Sequence, residues 1–444
     1  MTKTTTSAAP VGGFSTGYVN YVLTLIFVVS AINVCDRTIV AVLVDDIRAD
    51  LALDDRQMGV VMGLAFSVTY LLASVPIARL ADRRARAPIV ASALFTWSLM
   101  TAASGMAQSY LQLLLARMGV GLGEAGGSPP CHSLLMDYVP PERRARAMSW
   151  LPIGALIGVG VGMYYGGWAS GQFGWRLALV SVGIPGCVLA LVFLFTVKEP
   201  PRRPSETRAA ALETGSLREV ILGLFRSAAF RWLVLASSVA MTAGLARTFW
   251  EPTFLRRVHG LDPAMAGAVY LLISTLPSAI GTWLGALLAD RLGTRDRRWY
   301  AWVPAIGSVA MVPFAVSFYL LPATSHVAGI PAGFLLAAIA SLLSGAWSAP
   351  VMATAQTLAP PEARAVAAAV WTTVATFVGG SLGPLLVGDL NLRLESIAGA
   401  GSVRWSLAAL ALLPLLAAVA FQRLARYIPR SAAAASEVES RPFA

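Results

Sequence analysis

The sequence predicts an all-α membrane protein in which twelve transmembrane helices form two six-helix halves. Three observations lead there. Hydrophobic residues make up 57% of the 444 and charged ones only 13%, with 39 glycines, a composition foreign to a soluble enzyme of this length. Apolar runs of about 20 residues, the length that crosses hydrocarbon, recur along the chain. Short polar segments of the first half are also echoed at matching places in the second.

The apolar runs put spans near 18–44, 57–80, 87–107, 109–137, 145–170, 174–197, 232–254, 264–289, 299–321, 328–352, 364–388 and 403–422. Residues 1–17 read as a polar tail without the apolar core and small-residue cleavage site of a signal peptide, so the first span is expected to be kept as a helix. The halves are then 18–197 and 232–422, with a linker at 198–231 and a second tail at 423–444. The linker opens with KEPPRRPSETR, Lys198 to Arg208, which is too polar and proline-rich to continue a helix. It closes with SLREVILGLFR, residues 216–226, where Leu217, Val220, Ile221, Leu224 and Phe225 share one helical face, as in a short helix lying on the inner membrane surface.

ARLADRRAR at 78–86 is echoed by ALLADRLGT at 286–294, and PPERR at 140–144 by PPEAR at 360–364. Both echoes fall in loops on one side, so the halves repeat in the same orientation about an axis along the membrane normal. The net charge of +11 does not point to nucleic acid, because the basic residues lack interleaved aromatics and sit mostly in alternate loops. They report orientation instead: the positive-inside bias puts both termini in the cytoplasm, in a bacterial-type inner membrane. Cys35, Cys131 and Cys187 have no metal or redox spacing and read as packing residues, so no metal is expected. No HExxH, GxSxG, P-loop or paired-aspartate motif suggests an enzyme, and no cofactor is called for.

Charge inside the spans is the informative exception. INVCDRTIVAV, residues 32–42, sets Asp36 beside Arg37, and ARMGVGLGEAGGSPP, residues 116–130, carries Arg117 and Glu124. Seven residues is two helical turns to within about 20°, so Arg117 and Glu124 share a face, with Gly119, Gly121 and Gly123 between them to let another backbone approach. Asp36 and Arg37 are about 100° apart and must look to other helices. Four unpaired charges would cost roughly 10–14 kcal/mol on insertion scales, which requires pairing or hydration. Crosswise pairing is expected: Arg37 with Glu124, and Asp36 with Arg117 or a polar neighbour such as Asn33. A carboxylate held against an arginine there would let proton and anionic cargo share one switch.

The loop ARLADRRAR resembles the signature G-x-L-a-D-R-x-G-R of the major facilitator superfamily of secondary transporters, with Leu80, Asp82, Arg83 and Arg86 matching and Ala78 and Ala85 replacing glycine. The resemblance implies the major facilitator fold, alternating access, a monomer, and gating roles for Asp82, Arg83 and Arg86 and for the echoed Asp290 and Arg291. NVCDR at 33–37, RMGVGLGEA at 117–125, FWEPTFL at 249–255 and GGSLGPLLVGDL at 379–390 resemble the Spinster branch, which includes proton-linked exporters of lysophospholipids and sphingosine phosphate. That branch implies proton coupling at Asp36, Arg37, Arg117 and Glu124, the same residues with Asn33 meeting the head group, and the proton as coupling ion. The seventh span departs from it: ARTFWEP places Arg247 and Glu251 at i and i+4, a pair suited either to a head group or to an interfacial lock. Trp250 would line the cavity or join the aromatic belt. Gly154, Gly158, Gly162 and Gly166 make a stripe for close packing of span five. The cargo implied is a lysolipid or sphingoid phosphate. A small organic anion or drug uses the same chemistry, and a passive scramblase or channel would share the polar groove.

Overall fold

The computed structural model describes residues 14–140, 143–201, 217–327, 329–359 and 363–429. Twelve helical crossings are present among them. α1 is Thr16–Val42, opened by the Ser15 side chain, which accepts from the Tyr18 amide. α2 is built from Asp55–Gly59, a π-helical turn at Val60–Leu64, and Ala65–Arg83; Asp54 and Gln57 close its start as a reciprocal capping box. α3 is Arg86–Gly105, and α4 comprises Tyr110–Glu124 and Ser128–Tyr138. α5 (150–173) and α6 (175–196) lie within the helical stretch Trp150–Thr196.

The second half holds α7 (Ala228–His259), α8 (Pro263–Tyr270, a π-helical turn at Leu271–Thr275, then Leu276–Gly293) and α9 (Trp299–Leu320). α10 comprises Ala332–Gly345 and Ser348–Thr357, α11 is Arg364–Ala398, and α12 comprises Ser402–Leu410 and Leu413–Ala425. A small hairpin of β1 (His326–Val327) and β2 (Ile330–Pro331) joins α9 to α10. The linker helix is Leu217–Arg226, with Leu224 buried against the second half. Residues 202–216 of the linker, and the PPE tripeptides after Val139 and Ala359 apart from Pro140, lie outside the described residues.

Among the described residues nine runs are long and apolar enough to cross a bilayer. Two of them each hold two crossings. A straight 51-residue helix such as Arg146–Thr196 would be roughly 75 Å long at 1.5 Å per residue, far beyond the ~30 Å of hydrocarbon. It folds back at Gly174, whose φ of +83° favours glycine, and the Tyr165 hydroxyl then donates to Ser181 across the α5–α6 hairpin at 3.0 Å. The other long run, Val366–Ala425, turns at Gly399 (φ +55°) between α11 and α12. α4, broken in mid-membrane, completes the twelve.

The echoes in sequence are echoed in packing. α1 packs on α5, α3 on α6 and α4, and α2 on α4; correspondingly α7 packs on α11, α9 on α12 and α10, and α8 on α10. The π-helical turns fall in the corresponding helices α2 and α8. Residues such as Leu72, Leu99, Phe173, Ile184, Trp283 and Leu416 are exposed on the bundle's outside, where lipid rather than water is their solvent.

The glycine stripe of α5 does what its spacing predicts: a Cβ added at Gly154, Gly158 or Gly162 would strike the α1 backbone or Thr38. Replacing Gly158 with valine would drive side-chain atoms into the Ala31 carbonyl and should destabilise by about 1–3 kcal/mol, as overpacking does. Gly171→Ala, on the same helix with nothing within 4 Å, should be neutral. Thermal unfolding of the detergent-solubilised variants, followed by tryptophan emission, checks both. Equal melting of the two would remove close packing as the reason for the stripe.

Candidate functional site

The first charge cluster is made by the way α4 ends. Its first segment stops at Glu124, the chain turns through Ala125–Gly127, and helix resumes at Ser128 with Pro129 and Pro130, which carry no amide hydrogen to continue the ladder. Gly121 lets the Phe66 backbone of α2 come close, and Gly123 brings in the Trp97 backbone of α3, so the arginine and glutamate of α4 are walled in on both sides. Arg117 and Glu124 are 0% and 1% exposed.

Arg37 of α1 forms an ion pair with Glu124, and its guanidinium also lies 4.3 Å from the centre of the Phe66 ring. Asn33, one turn before Arg37, faces the same carboxylate. The other half of the expected crosswise arrangement is different. Arg117 donates to the backbone carbonyl of Asp36 at 3.2 Å, while the Asp36 carboxylate accepts from Ser98 of α3 at 3.2 Å. The cause is direction: Asp36 and Arg37 leave α1 about 100° apart, so with Arg37 turned to Glu124 the Asp36 carboxylate meets α3, and Arg117 reaches the α1 backbone instead. Asp36 Oδ1, Glu124 Oε1, and Nε and Nη2 of Arg117 keep unused hydrogen-bonding capacity. Arg37 is the accessible member, its side chain 28% exposed.

The second cluster is held by α7. Arg247 donates to Ser341 at 2.8 Å and Ser344 at 3.2 Å, both on α10, and its Nε lies 3.7 Å from Glu251. Glu251 is buried and accepts from Ser274 of α8 and, at 3.3 Å, from Tyr319 of α9. This arrangement rules out an outward-snorkelling lock. Trp250 neither lines a cavity nor joins an aromatic belt: it is fully buried, and its indole N–H donates to the Pro384 carbonyl of α11 at 2.9 Å. It leaves α7 about 60° from Arg247 and about 100° from Glu251, which occupy the face toward α8, α9 and α10, and so points to α11.

The bundle has two ends. At the linker end Tyr18 of α1 donates to the Thr196 carbonyl closing α6. Arg86, expected to gate, is buried here and pairs with Asp137 of α4 at 2.5 Å and with Glu199 at the start of the linker at 2.7 Å, neither in the second half. Asp290 accepts from Tyr300 at 2.7 Å within the second half; Arg83 and Arg291 are exposed. The Asp82 side chain lies outside the described residues. Among the described residues no extended contact joins α4 or α5 to α10 or α11 at this end.

The far end is shut. Gly63 and Gly380 let α2 and α11 touch backbone to backbone, and Gly167 and Gly267 do the same for α5 and α8. Arg257 of α7 spans Asp45 at 2.8 Å and Asp55 at 2.6 Å, Arg256 holds Asp46 at 2.7 Å, and Arg48 reaches Glu395 of α11 at 2.7 Å.

Residues 26–384 match the Major Facilitator Superfamily. The chain belongs to that superfamily. Within it this facilitator is Spinster-like: it is 26% identical over 391 residues to protein spinster homolog 1 of Xenopus tropicalis, covering 84% of this chain and 73% of that one. It superposes with a TM-score of 0.84 and 26% identity on the crystal structure of a bacterial homologue of the human lysosomal transporter Spinster, in an inward-facing, unoccupied conformation, over 94% of this chain and all of that one. An MFS-type efflux pump of Mycolicibacterium smegmatis is 31% identical over 372 residues, 84% of either chain.

The facilitator's far-end network is the functional feature that sequence reading missed. Its signal was present: Asp45 and Asp46 follow span one just as Arg256 and Arg257 follow span seven, opposite charges at equivalent places in the two repeats. Within the network the Arg257–Asp55 pair should dominate, since these side chains are only 8% and 3% exposed while Arg56, 3.6 Å from Asp389, is 62% exposed and contributes little. Arg257→Ala is expected to weaken the closed far end by about 3 kcal/mol, the lower end for a broken buried pair because Arg48 and Asn391 still hold Asp55. Spin labels at Leu111 and Ile397, exposed positions in the two halves, should then report a new population at longer separation. An unchanged distance distribution would show that the network is no lock.

Proposed function

We propose that this membrane transporter couples proton movement to the passage of an amphipathic anion, a lysophospholipid or sphingoid phosphate, by alternating access. The observation that carries the proposal is the Arg37–Glu124 pair, set between two helices of one half in mid-membrane. Arginine does not deprotonate in proteins, so changes of charge state in this cluster fall on Asp36 and Glu124. Only protonation of Glu124 breaks an ion pair. It releases Arg37, the one charged member of the cluster with exposed surface, to a phosphate or carboxylate. Arg117, wholly buried on the α1 backbone, anchors the cluster and keeps it positive when Glu124 is neutral.

The amphipathic class is supported by the likeness to Spinster proteins. We place the linker end in the cytoplasm, as the basic loops indicate, which makes this conformer inward-open and the far-end network the outer gate. Proton return down its gradient then resets Glu124 after cargo has left Arg37.

Purified protein in liposomes with a labelled lysophospholipid and an imposed pH gradient tests the proposal. Glu124→Gln keeps the shape and loses the titrating group, so gradient-driven movement should fall to background while the melting temperature stays within a few degrees. Full gradient dependence in that variant would sink the mechanism. Arg37→Ala strands a buried carboxylate; it should cost about 3–5 kcal/mol of stability and weaken cargo binding. Movement that ignores the gradient in every variant would instead indicate a passive lipid pathway.

A further inference from the structure

A cavity of about 220 Å³ runs into the second half between α7, α8, α9, α10 and α12. Its floor, with Met311 and Ala315 on α9 and Leu407, Leu410 and Ala411 on α12, is buried. The rim residues Gly244, Arg247, Ser278, Ser344 and Trp347 are half-buried, so the cavity is entered from the side of α7, α8 and α10. None of the lining residues comes from the first half.

We infer that this cavity is a binding site for a compact amphipathic monoanion, with its charged group on Arg247 and its apolar body against the α9 and α12 floor. The chemistry of the wall points to this class. Arg247 is the single charged side chain in the lining, and hydroxyls of Thr248, Ser278, Ser308, Tyr319 and Ser344 lie among mostly apolar groups. Two arms of the guanidinium rest on neutral serine hydroxyls, which fix its direction without cancelling its charge. Glu251 does not line the cavity. It stands behind Arg247, with its oxygens taken by Ser274 and Tyr319 and a single long approach of 3.7 Å to the arginine. Glu251 thus lowers the field in the cavity without occupying the site.

Size sets the second half of the class. An apolar cavity of about 150 Å³ takes a benzene ring. The cavity here suits a fused ring or short chain bearing one carboxylate or phosphate, and is too small for a two-tailed lipid. The lining comes entirely from the second half, so this site is separable from the Arg37–Glu124 switch and stands whether or not that switch couples protons.

The test is calorimetric titration of the full-length solubilised protein with 2-naphthoate and with its neutral analogue 2-naphthalenemethanol. Wild type should bind the carboxylate at least ten-fold tighter than the alcohol. Arg247→Gln should erase that preference while the alcohol still binds. Glu251→Gln should tighten naphthoate several-fold and leave the alcohol unchanged, a gain that misfolding cannot produce. Equal affinity of wild type for the two probes, absence of binding, or a preference that survives Arg247→Gln would overturn the site. Loss of the preference in Arg37→Gln instead would assign the anion to the first half and overturn it as well.

Discussion

Charge placed inside hydrocarbon has to be neutralised where it stands, and in this protein it is neutralised within each half. Arg37 finds Glu124 between α1 and α4, and Arg247 finds Glu251 and two serines among α7, α8 and α10. Neither mid-membrane cluster borrows a charge from the opposite half. Each half is therefore close to electroneutral in the bilayer by itself, so the two can change their mutual orientation without stranding a buried ion, which would cost several kcal/mol. Pairs that do cross between halves lie at the far end, where water can take over from a broken partner.

The same division governs backbone contact. Inside the first half, glycines of α5 seat α1 against it. Between halves, glycines at the α2–α11 and α5–α8 crossings let a backbone carbonyl of one helix rest against the other, with only Ser67 and the Pro384 ring added at the first crossing. Such smooth contacts separate without rotamer changes. The paired π-helical turns of α2 and α8 lie in the helices that form these crossings, in keeping with the frequent use of such turns at functional places in helices.

Fold class, helix number and the repeat were legible in the sequence because hydrocarbon imposes a length and a polarity on every crossing. Of the site, the four charges and the Arg37–Glu124 pair were legible, since burying a charge leaves few partners. Partner choice beyond that was not. Whether Arg117 meets the carboxylate or the carbonyl of Asp36 depends on how α1 is rotated once Arg37 is turned to Glu124, and spacing along α1 admits both. Trp250 misled for a related reason: an aromatic residue suits a cavity wall and a helix contact equally, and only the position of Pro384 on α11 decides. The far-end pairs join residues hundreds of positions apart, a register that repeat symmetry suggests and packing alone fixes.

Two helices join mid-membrane chemistry to the far end. α1 carries Arg37 at its middle, and a little over one turn later its Val42 carbonyl accepts from Arg256 of the opposite half at 3.0 Å. α7 carries Arg247 and Glu251, then Arg256 and Arg257 within the next two turns. Over so short a distance an α-helix transmits displacement with little loss, because its backbone hydrogen bonds tie successive turns together, although in α7 Pro252 removes one of them. The groups that hold charge in the membrane and those that hold the far end shut thus share one helix in each repeat. Spacing along α1 and α7, rather than any contact between the two buried clusters, places the site and the gate under common control.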